Sequence, residues 1–468
     1  MQILEDIWLN GWKNEHVWKE RGYKMKKVIT YGSFDLFHEG HYKLLQRAKS
    51  LGDYLIVGVT TEQFDESRGK LNVVDSIIDR IENVKKTGFA DKIIVEDHVG
   101  QKVEDIHKYG VDIFSIGSDW TGEFDYLKDF CEVVYLERTK EISSTLMRKQ
   151  KYPIIKLGIV GTGRIAGRFV PEAKFVSGIE AVSVYNPHRE SAERFAKRFG
   201  IQESWKSFEE FLEPLDAVYI ASLHQTHYEY AKAALSRGKH VLCEKPMAFS
   251  RVQAQDLFNT ARANNCLLLE AIKTAYCPGF NQLLGVARSG IIGNIVDVEA
   301  CFTRIADPDS RESKDPNYGG GFLEFGNHTM LPIFKLLGTQ YKSVAFDSIK
   351  NEAGIDLYTK ASFSFERGMA LSKTGVAVKS EGQLIIAGTK GYILAESPWW
   401  LTKSFEVRFE DPSKKEQYTS RFLGDGLRYE LSEFVSLIHN GERKSYKFTE
   451  EESVAMAGVV ERFLETRK

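Results

Sequence analysis

Cysteine is scarce and scattered: Cys131, Cys243, Cys266, Cys277 and Cys301 are all that 468 residues hold, and none forms a CxxC pair. An odd, dispersed set argues against a disulfide framework and fits a reducing cytoplasm. No apolar run approaches the roughly 20 residues that span a bilayer. The first residues lack the charged-then-apolar order of a secretory signal. Charge of one sign is missing too, since 63 Lys and Arg against 65 Asp and Glu leave −2. That gives no electrostatic reason to expect nucleic acid or an anionic membrane as partner. Low-complexity tracts and short repeats are absent. What is present is the composition of a soluble globular protein, 43% hydrophobic and 27% charged. The length exceeds one ordinary core and predicts two to four domains.

Residues 1–24 form an extension marked by Trp8, Trp12 and Trp18. Leu4, Ile7, Trp8 and Trp12 fall at roughly helical spacing, which Gly11 weakens; a helix packed on the body or across a subunit contact is expected. Glu5, Asp6, Glu15 and Glu20 dilute the basic face that a membrane-surface helix uses. From residue 25 to about 150 the pattern is α/β, with strands expected at 27–31, 54–59, 111–117 and 132–136. A helix bearing Leu44, Leu45 and Ala48 is expected to stop at Gly52. Lys149 to Pro153 reads as a linker.

A second α/β run, 151–272, has strands expected at 154–160, 180–185, 216–221, 240–243 and 266–270. Beyond it, over 273–468, strand-like segments at 295–303, 361–365 and 383–387 precede a final helix at about 450–466. The expected fold class is therefore α/β. Two doubly wound parallel-sheet domains are followed by an α+β domain with a mainly antiparallel open sheet.

The first chemical motif is His38-Glu39-Gly40-His41, placed after the apolar run at 28–31. A strand that enters a Gly-containing turn and opens a helix is a phosphate site by its free N–H groups and its dipole. Two His around a Gly that admits close backbone approach can both serve one phosphate and stabilise charge growing on it. The same pair would also suit a metal, or be two unrelated side chains.

Tyr31-Gly32-Ser33-Phe34-Asp35 and the HxGH tetrad, Gly117-Ser118-Asp119-Trp120, and Arg138-Thr139-Lys140-Glu141-Ile142-Ser143-Ser144-Thr145 closely resemble the glycerol-3-phosphate cytidylyltransferases. The resemblance covers about 25–148. It implies that His38, His41, Arg138, Thr139, Ile142, Ser143, Ser144 and Thr145 hold the CTP phosphates. Tyr31 to Asp35 and Asp119 join that nucleotide site. It also implies a basic loop for the acceptor phosphate and the transition state, here with Arg68 and Lys70, and a later Arg at Arg80. Two departures stand out: Glu141 replaces the family's usual Gly, and Ser118-Asp119 replaces an acidic pair. The loop at 65–79 is about one residue longer. Mg²⁺ is expected to arrive with CTP, with Asp35 as a candidate contact, because no separate metal cage is visible.

The second motif is Gly161-Thr162-Gly163-Arg164-Ile165-Ala166, between an apolar strand and a helix. Gly161 permits the tight turn, Gly163 permits approach of a pyrophosphate, and Ala166 replaces the third Gly. The next strand ends in Asn186-Pro187-His188-Arg189, without an acid for a ribose 2′-hydroxyl. His188 and Arg189 suit a 2′-phosphate, so NADPH is expected over NADH; alternatively, Arg189 is only a first-turn helix residue. Lys245, within Glu244-Lys245-Pro246 after a parallel strand, can protonate a carbonyl oxygen, or be a solvated loop lysine. Glu324 and His328 lie four apart, which on a helix points them the same way. His328 could equally be a satisfied core residue.

These features, with Ser222, His224 and His227, resemble the Gfo/Idh/MocA oxidoreductases over roughly 154–468. The resemblance implies that Lys245 and His328 are the acid–base pair, with Glu324 standing where Asp is common. It also implies that the open sheet makes a dimer or tetramer contact.

The union of the two motifs points to one product. A ketose phosphate reduced with NAD(P)H gives an alditol phosphate, which CTP converts to CDP-alditol and pyrophosphate, a precursor for capsule or teichoic-acid-like polymers. Pentulose 5-phosphate is the first choice. Glycerol from dihydroxyacetone phosphate, an oxidoreductase half acting on an unrelated sugar, and a half kept only as a nucleotide-binding scaffold are the alternatives.

Overall fold

The computed structural model describes residues 25–61, 64–65, 75–98, 100–137, 154–420 and 422–467. The extension 1–24 lies outside these, as do Arg68, Lys70, Arg138, Thr139, Ile142, Ser143, Ser144 and Thr145. The chain divides into two compact units, Met1–Pro153 and Ile154–Lys468.

In the first unit, β1 (Lys27–Gly32), β2 (Tyr54–Thr60), β3 (Lys92–Glu96), β4 (Ile113–Gly117) and β5 (Glu132–Leu136) form one sheet in the order β3-β2-β1-β4-β5. Every pairing is parallel. Parallel strands are covered on both faces, so they read as continuous apolar runs. Val28, Leu55 and Val57 pack with Leu45 and Ala48 of α1 (Glu39–Ser50) and Val84 of α2 (Ile77–Lys86). Ile29, Ile56 and Phe114 pack on the other face with Ile106 of α3 (Gln101–Tyr109).

Two expectations change here. β3 is absent from the sequence expectation; it lies at one edge of the sheet, with Ile93 and Ile94 half-buried and Val95 exposed. Gly52 does follow the end of α1, but its reason is contact. A Cβ there would stand 2.6 Å from the Lys26 carbonyl oxygen.

In the second unit, β6 (Ile155–Val160), β7 (Ile179–Tyr185), β8 (Glu203–Trp205), β9 (Ala217–Ile220), β10 (His240–Glu244) and β11 (Leu268–Ala271) form a parallel sheet ordered β11-β10-β9-β6-β7-β8. Helices α4 (Arg164–Ala173), α5 (Arg189–Phe199), α6 (His227–Ser236) and α7 (Arg251–Ala263) alternate with these strands.

An eight-stranded sheet follows, made of β12 (Ile295–Thr303), β13 (Ser343–Lys350), β14 (Asp356–Ser364), β15 (Met369–Gly375), β16 (Leu384–Gly388), β17 (Gly391–Ala395), β18 (Ser404–Phe409) and β19 (Lys415–Thr419). It is antiparallel except where β12 meets β15. The long α8 (Gly321–Leu337) is buried along most of its length, and it packs against β12, β14 and β15. Helices α9 (Leu427–His439) and α10 (Glu450–Glu465) complete the chain, the latter opened by a Thr449–Glu452 capping box.

A buried ion pair joins the parallel sheet's layer to the C-terminal helices. Arg428 of α9 donates to both carboxylate oxygens of Glu172 on α4, at 2.9 and 2.6 Å. Removing one partner would strand a buried charge, at about 3–5 kcal/mol. In both parallel sheets the winding reverses beside the first strand: β1 lies between β2 and β4, and β6 between β7 and β9. Ligands collect outside the carboxyl ends of the strands at such a reversal.

Candidate active sites

The first site is built on the turn from β1 into α1. Phe34 and Leu36 both adopt positive φ, 51° and 47°. Non-Gly residues there cost of order 1–3 kcal/mol each and persist only where the surroundings hold them. Phe34 is fully buried, and a Cβ on Gly32 would stand 3.1 Å from its ring. The Asp35 carboxylate accepts the Asp75 N–H at 2.9 Å, and the Asp75 carboxylate accepts the Leu36 N–H at 2.9 Å. Asp35 is thus a fully buried carboxylate that closes the turn. Among the described residues no cluster of His, Cys, Asp or Glu could hold a metal.

His38 is the N-cap of α1, and its Nδ1 accepts the Gly40 N–H at 3.0 Å. When neutral, this ring therefore carries its proton on Nε2. The His41 ring stacks on it at 3.9 Å, with Phe34 and Phe37 each 5.5 Å from His41. The HxGH spacing thus brings two imidazoles together at the amino end of a twelve-residue helix, where N–H groups and dipole favour an anion.

Arg80 lies on α2. It is fully buried and donates to the carbonyls of Ser33 at 2.9 Å, Thr60 at 2.8 Å and Asp75 at 3.0 Å. It ties the ends of β1 and β2 to the start of α2, with the Asp65 carboxylate 3.5 Å away. Asp119 lies in a short 3₁₀ turn just after β4.

A small crevice of about 40 Å³ opens beside these strand ends, lined by Tyr31, Gly32, Ser33, Thr60, Lys102 and Trp120 among others. Lys102 was not anticipated. It pairs with Glu96 and lies 4.5 Å over the Tyr31 ring, whose hydroxyl donates to Asp105 at 2.9 Å. Burial and Asp105 push the Tyr31 phenol far above its ordinary range. The available signal was polar residues on the core-facing side of α3, where Gln101, Lys102 and Asp105 join Ile106.

The second site begins at the Gly loop. Gly161 has φ +100°, and a Cβ on it would lie 2.5 Å from the Ala221 carbonyl oxygen. Gly163 caps α4 with nothing within 4 Å of where its Cβ would be. Both observations fit a dinucleotide: the first glycine makes the turn, and the second leaves room for the pyrophosphate at a helix amino end. Asn186 ends the next strand in place of an acid. It donates to Thr162 Oγ1 at 2.9 Å and accepts the His188 N–H at 2.9 Å. Arg189 opens α5, half-exposed and paired with Glu193 at 2.6 Å.

Beyond the loop lies a cavity of about 420 Å³ between the parallel sheet and the open sheet. Its lining includes Gly163, Arg164, Ile165, Ser222, His224, His227, Glu244, Lys245, Glu324 and His328. Lys245 Nζ donates to the Glu324 carbonyl oxygen at 2.8 Å. Glu324 points its carboxylate elsewhere, toward Arg311 at 3.3 Å and Arg164 at 3.5 Å. His328 is buried beside Phe302 and 3.5 Å from Thr274 Oγ1. Burial, then Lys245 and Lys273, push the His328 imidazole well below its ordinary range, so it is neutral.

His227 and Glu244 have inward duties. The ring nitrogens of His227 face the carbonyls of Pro246 at 2.9 Å and Ser222 at 3.2 Å, and the neutral ring donates to one of them. Burial nevertheless pushes its pKa down to about 4. Glu244 accepts the Tyr219 hydroxyl at 2.7 Å, and burial raises its carboxyl. The cavity also contains cations that the sequence reading passed over: Arg168, Lys273, Arg304 and Arg311. They are scattered from Arg168 to Arg311, and no motif joins them.

Comparison with known proteins matches each unit separately. A family model described as cytidylyltransferase-like matches residues 29–150, and one described as an oxidoreductase family with an NAD-binding Rossmann fold matches 155–271. The glycerol-3-phosphate cytidylyltransferase of Bacillus spizizenii is 50% identical over 125 residues, 27% of this chain and 96% of that protein. The NADP-dependent scyllo-inositol 2-dehydrogenase of Bacillus subtilis is 26% identical over 317 residues, 66% of this chain and 95% of that protein. A solved 3-ketoreductase from Actinomadura kijaniata, in complex with NADP and TDP-benzene, shares the fold of the second unit. Its TM-score is 0.58 at 24% identity, over 65% of this chain and 95% of that one.

The fold and the matches define a bifunctional enzyme that joins a nucleotidyltransferase unit to an NAD(P)-dependent oxidoreductase unit. The chain belongs to the glycerol-3-phosphate cytidylyltransferase family through its first unit, and its second unit matches the Gfo/Idh/MocA oxidoreductase family model over residues 155–271.

Proposed function

We propose that the chain makes a CDP-alditol in two steps. In the second unit a ketose phosphate, NADPH and one proton give an alditol phosphate and NADP⁺. In the first unit an oxygen of the alditol phosphate attacks the α-phosphorus of CTP, and pyrophosphate leaves. Ribulose or xylulose 5-phosphate is the favoured ketose. The observation that carries the reading is the union, in one chain, of an HxGH cytidylyltransferase unit with a reductase cavity whose charged lining is mainly cationic.

The bound nicotinamide supplies the hydride. Lys245 holds the ketose oxygen and stabilises the charge gathering there. Because His328 is neutral, Lys245 is the better proton source, and His328 orients the substrate or passes the proton on. In the first unit the stacked His38 and His41 stabilise the reacting phosphate. Mg²⁺ enters with CTP. Lys70 and Arg68 serve the acceptor, and Arg138, Thr139 and Ile142 to Thr145 serve the triphosphate.

The identity of 50% to a glycerol-3-phosphate cytidylyltransferase favours a second reading, with glycerol as the alditol and dihydroxyacetone phosphate as the ketose. One assay decides between them. NADPH oxidation by the full chain is measured with ribulose 5-phosphate, xylulose 5-phosphate and dihydroxyacetone phosphate, followed by CTP-dependent pyrophosphate release. If none is reduced, or if the reduced product is not a CTP acceptor, the pathway reading fails.

A further inference from the structure

The cations around the reductase cavity differ in how they are paired. Arg164, Arg304 and Arg311 share the carboxylates of Glu312 and Glu324. Arg168 and Lys273 converge instead on one residue, Asp425. Arg168 Nε donates to the Asp425 carboxylate at 2.7 Å, and Lys273 Nζ donates to the Asp425 main-chain carbonyl at 2.7 Å. Both cations line the same cavity as Lys245 and His328. Neither is sealed off: the Arg168 side chain is 43% exposed, and Lys273 is half-buried. Asp425 stands between Gly424 and Gly426, which adopt positive φ of 56° and 82°. A Cβ on Gly424 would meet the Glu172 carboxylate at 2.2 Å, so glycine lets this turn lie against the buried Glu172–Arg428 pair.

The turn thus gathers two cations from separate elements, one on α4 and one just after β11, and their charges are incompletely met. Arg168 gives Nε to Asp425, and its two terminal nitrogens have no hydrogen-bond partner among the described residues. An ammonium has three donors. Lys273 meets one acceptor, an uncharged carbonyl, and no carboxylate among the described residues. Burial, then the Arg168 charge, push this ammonium below its ordinary range. Glu430 also acts on it, but both Glu430 oxygens are buried without a hydrogen-bond partner among the described residues. Burial and Glu244 raise the Glu430 carboxyl well above the carboxylate range, which favours the neutral acid. The species that meets an ammonium and a guanidinium fork together is an oxyanion with several acceptor oxygens.

We infer that Lys273 and Arg168, both anchored on Asp425, read the phosphate group of the reductase's substrate. The inference rests on the ketose phosphate reading above. It adds the specificity device: a phosphorylated ketose supplies the anion that both cations lack, and its unphosphorylated counterpart leaves them unmet. Lys245 and His328 then serve the carbonyl end of the substrate, and Lys273 and Arg168 the phosphate end.

The test measures kcat/KM for each ketose phosphate with the full chain, and uses the same ketose lacking phosphate as control. Lys273→Met should lower the value for the phosphorylated ketose by roughly 30-fold, the scale of a lost charge-assisted contact. The loss should be mainly in KM, Lys273→Arg should recover part of it, and the control should change little. Arg168→Met should cost about tenfold, since its exposed charge is partly screened. Should Lys273→Met fail to fold by circular dichroism, the exposed Arg168 carries the test alone. Unchanged kinetics with the phosphorylated ketose in either folded variant overturns the assignment, as does an equal loss on the control. So does a tenfold loss of NADPH affinity by fluorescence titration, which would give these cations to the cofactor. If the unmodified chain reduces no ketose phosphate, the function reading fails separately. Inorganic phosphate binding to the NADPH-loaded chain, followed by calorimetry, then decides. Binding that Lys273→Met weakens tenfold or more keeps the anion site; binding that it leaves intact, or none, removes it.

Discussion

Lys245 Nζ donates to the main-chain carbonyl of Glu324, 2.8 Å away, so the end of β10 is tied to the first turn of α8. Sequence spacing suggested that Glu324 would act through its carboxylate. The fold uses its backbone instead, and gives the carboxylate to Arg311 and Arg164. Lys245→Ala and His328→Ala should each lower kcat for ketose phosphate reduction, with NADPH affinity much less affected. Their combined loss should be smaller than the product of the two, because residues acting as a unit are not additive. Steady-state kinetics of both variants and the double variant checks this. Reduction by Lys245→Ala at the unmodified rate would sink the assignment.

The two units should be separable chemically. His41→Ala removes one of two imidazoles stacked at 3.9 Å. Cytidylyl transfer should fall by roughly 10²-fold or more, the scale of a lost transition-state charge stabiliser. NADPH oxidation with a ketose phosphate should continue. Loss of both activities would contradict independent sites.

CTP transfer should require Mg²⁺, since charge must be neutralised as pyrophosphate leaves. Excess chelator should abolish it, and added Mg²⁺ should restore it. Undiminished pyrophosphate release in chelator would refute the expectation.

NADPH should be preferred to NADH, because Asn186 replaces the acid and is held by Thr162 and the His188 N–H. Arg189→Ala should erode the preference by about 1–2 kcal/mol, the order of a charge-assisted hydrogen bond. The Arg189 pairing with Glu193 competes for the same guanidinium, so Glu193→Gln should sharpen the preference. Equal use of both cofactors by the unmodified protein would defeat the idea.

Stability should depend on pH in two opposite ways. His227 is pushed down from 6.5 to about 4 in the folded state. Between those values the unfolded chain binds more protons, so stability is lost as pH falls through that window. His227→Gln should flatten that acid limb. Glu270 is raised from 4.5 to about 7, chiefly by burial. Its contribution is full below 4.5 and fades as pH rises through 7. Glu270→Gln should therefore gain on the unmodified protein across that interval. Thermal melts from pH 4 to 8 report both, and parallel curves would reject the assigned shifts.

Sequence alone carried what is local. The HxGH turn, the Gly161–Gly163 loop and the Lys245 position are each written within a few consecutive residues at a strand's end. A strand's apolar run and a helix's capping are set by neighbours along the chain, so these were readable. The edge strand β3 was not; its pairing with β2, some 36 residues earlier in the chain, is what makes Ile93 to Val95 a strand (Ile56 opposite Lys92). Nor was the inward turn of Arg80, whose partners Ser33 and Thr60 lie 47 and 20 residues away. The same holds for Lys102 and Arg311, which are ordinary surface types in the linear chain. Burial, charge pairing and the choice of tautomer depend on which distant groups share a desolvated space, and only the tertiary structure decides that.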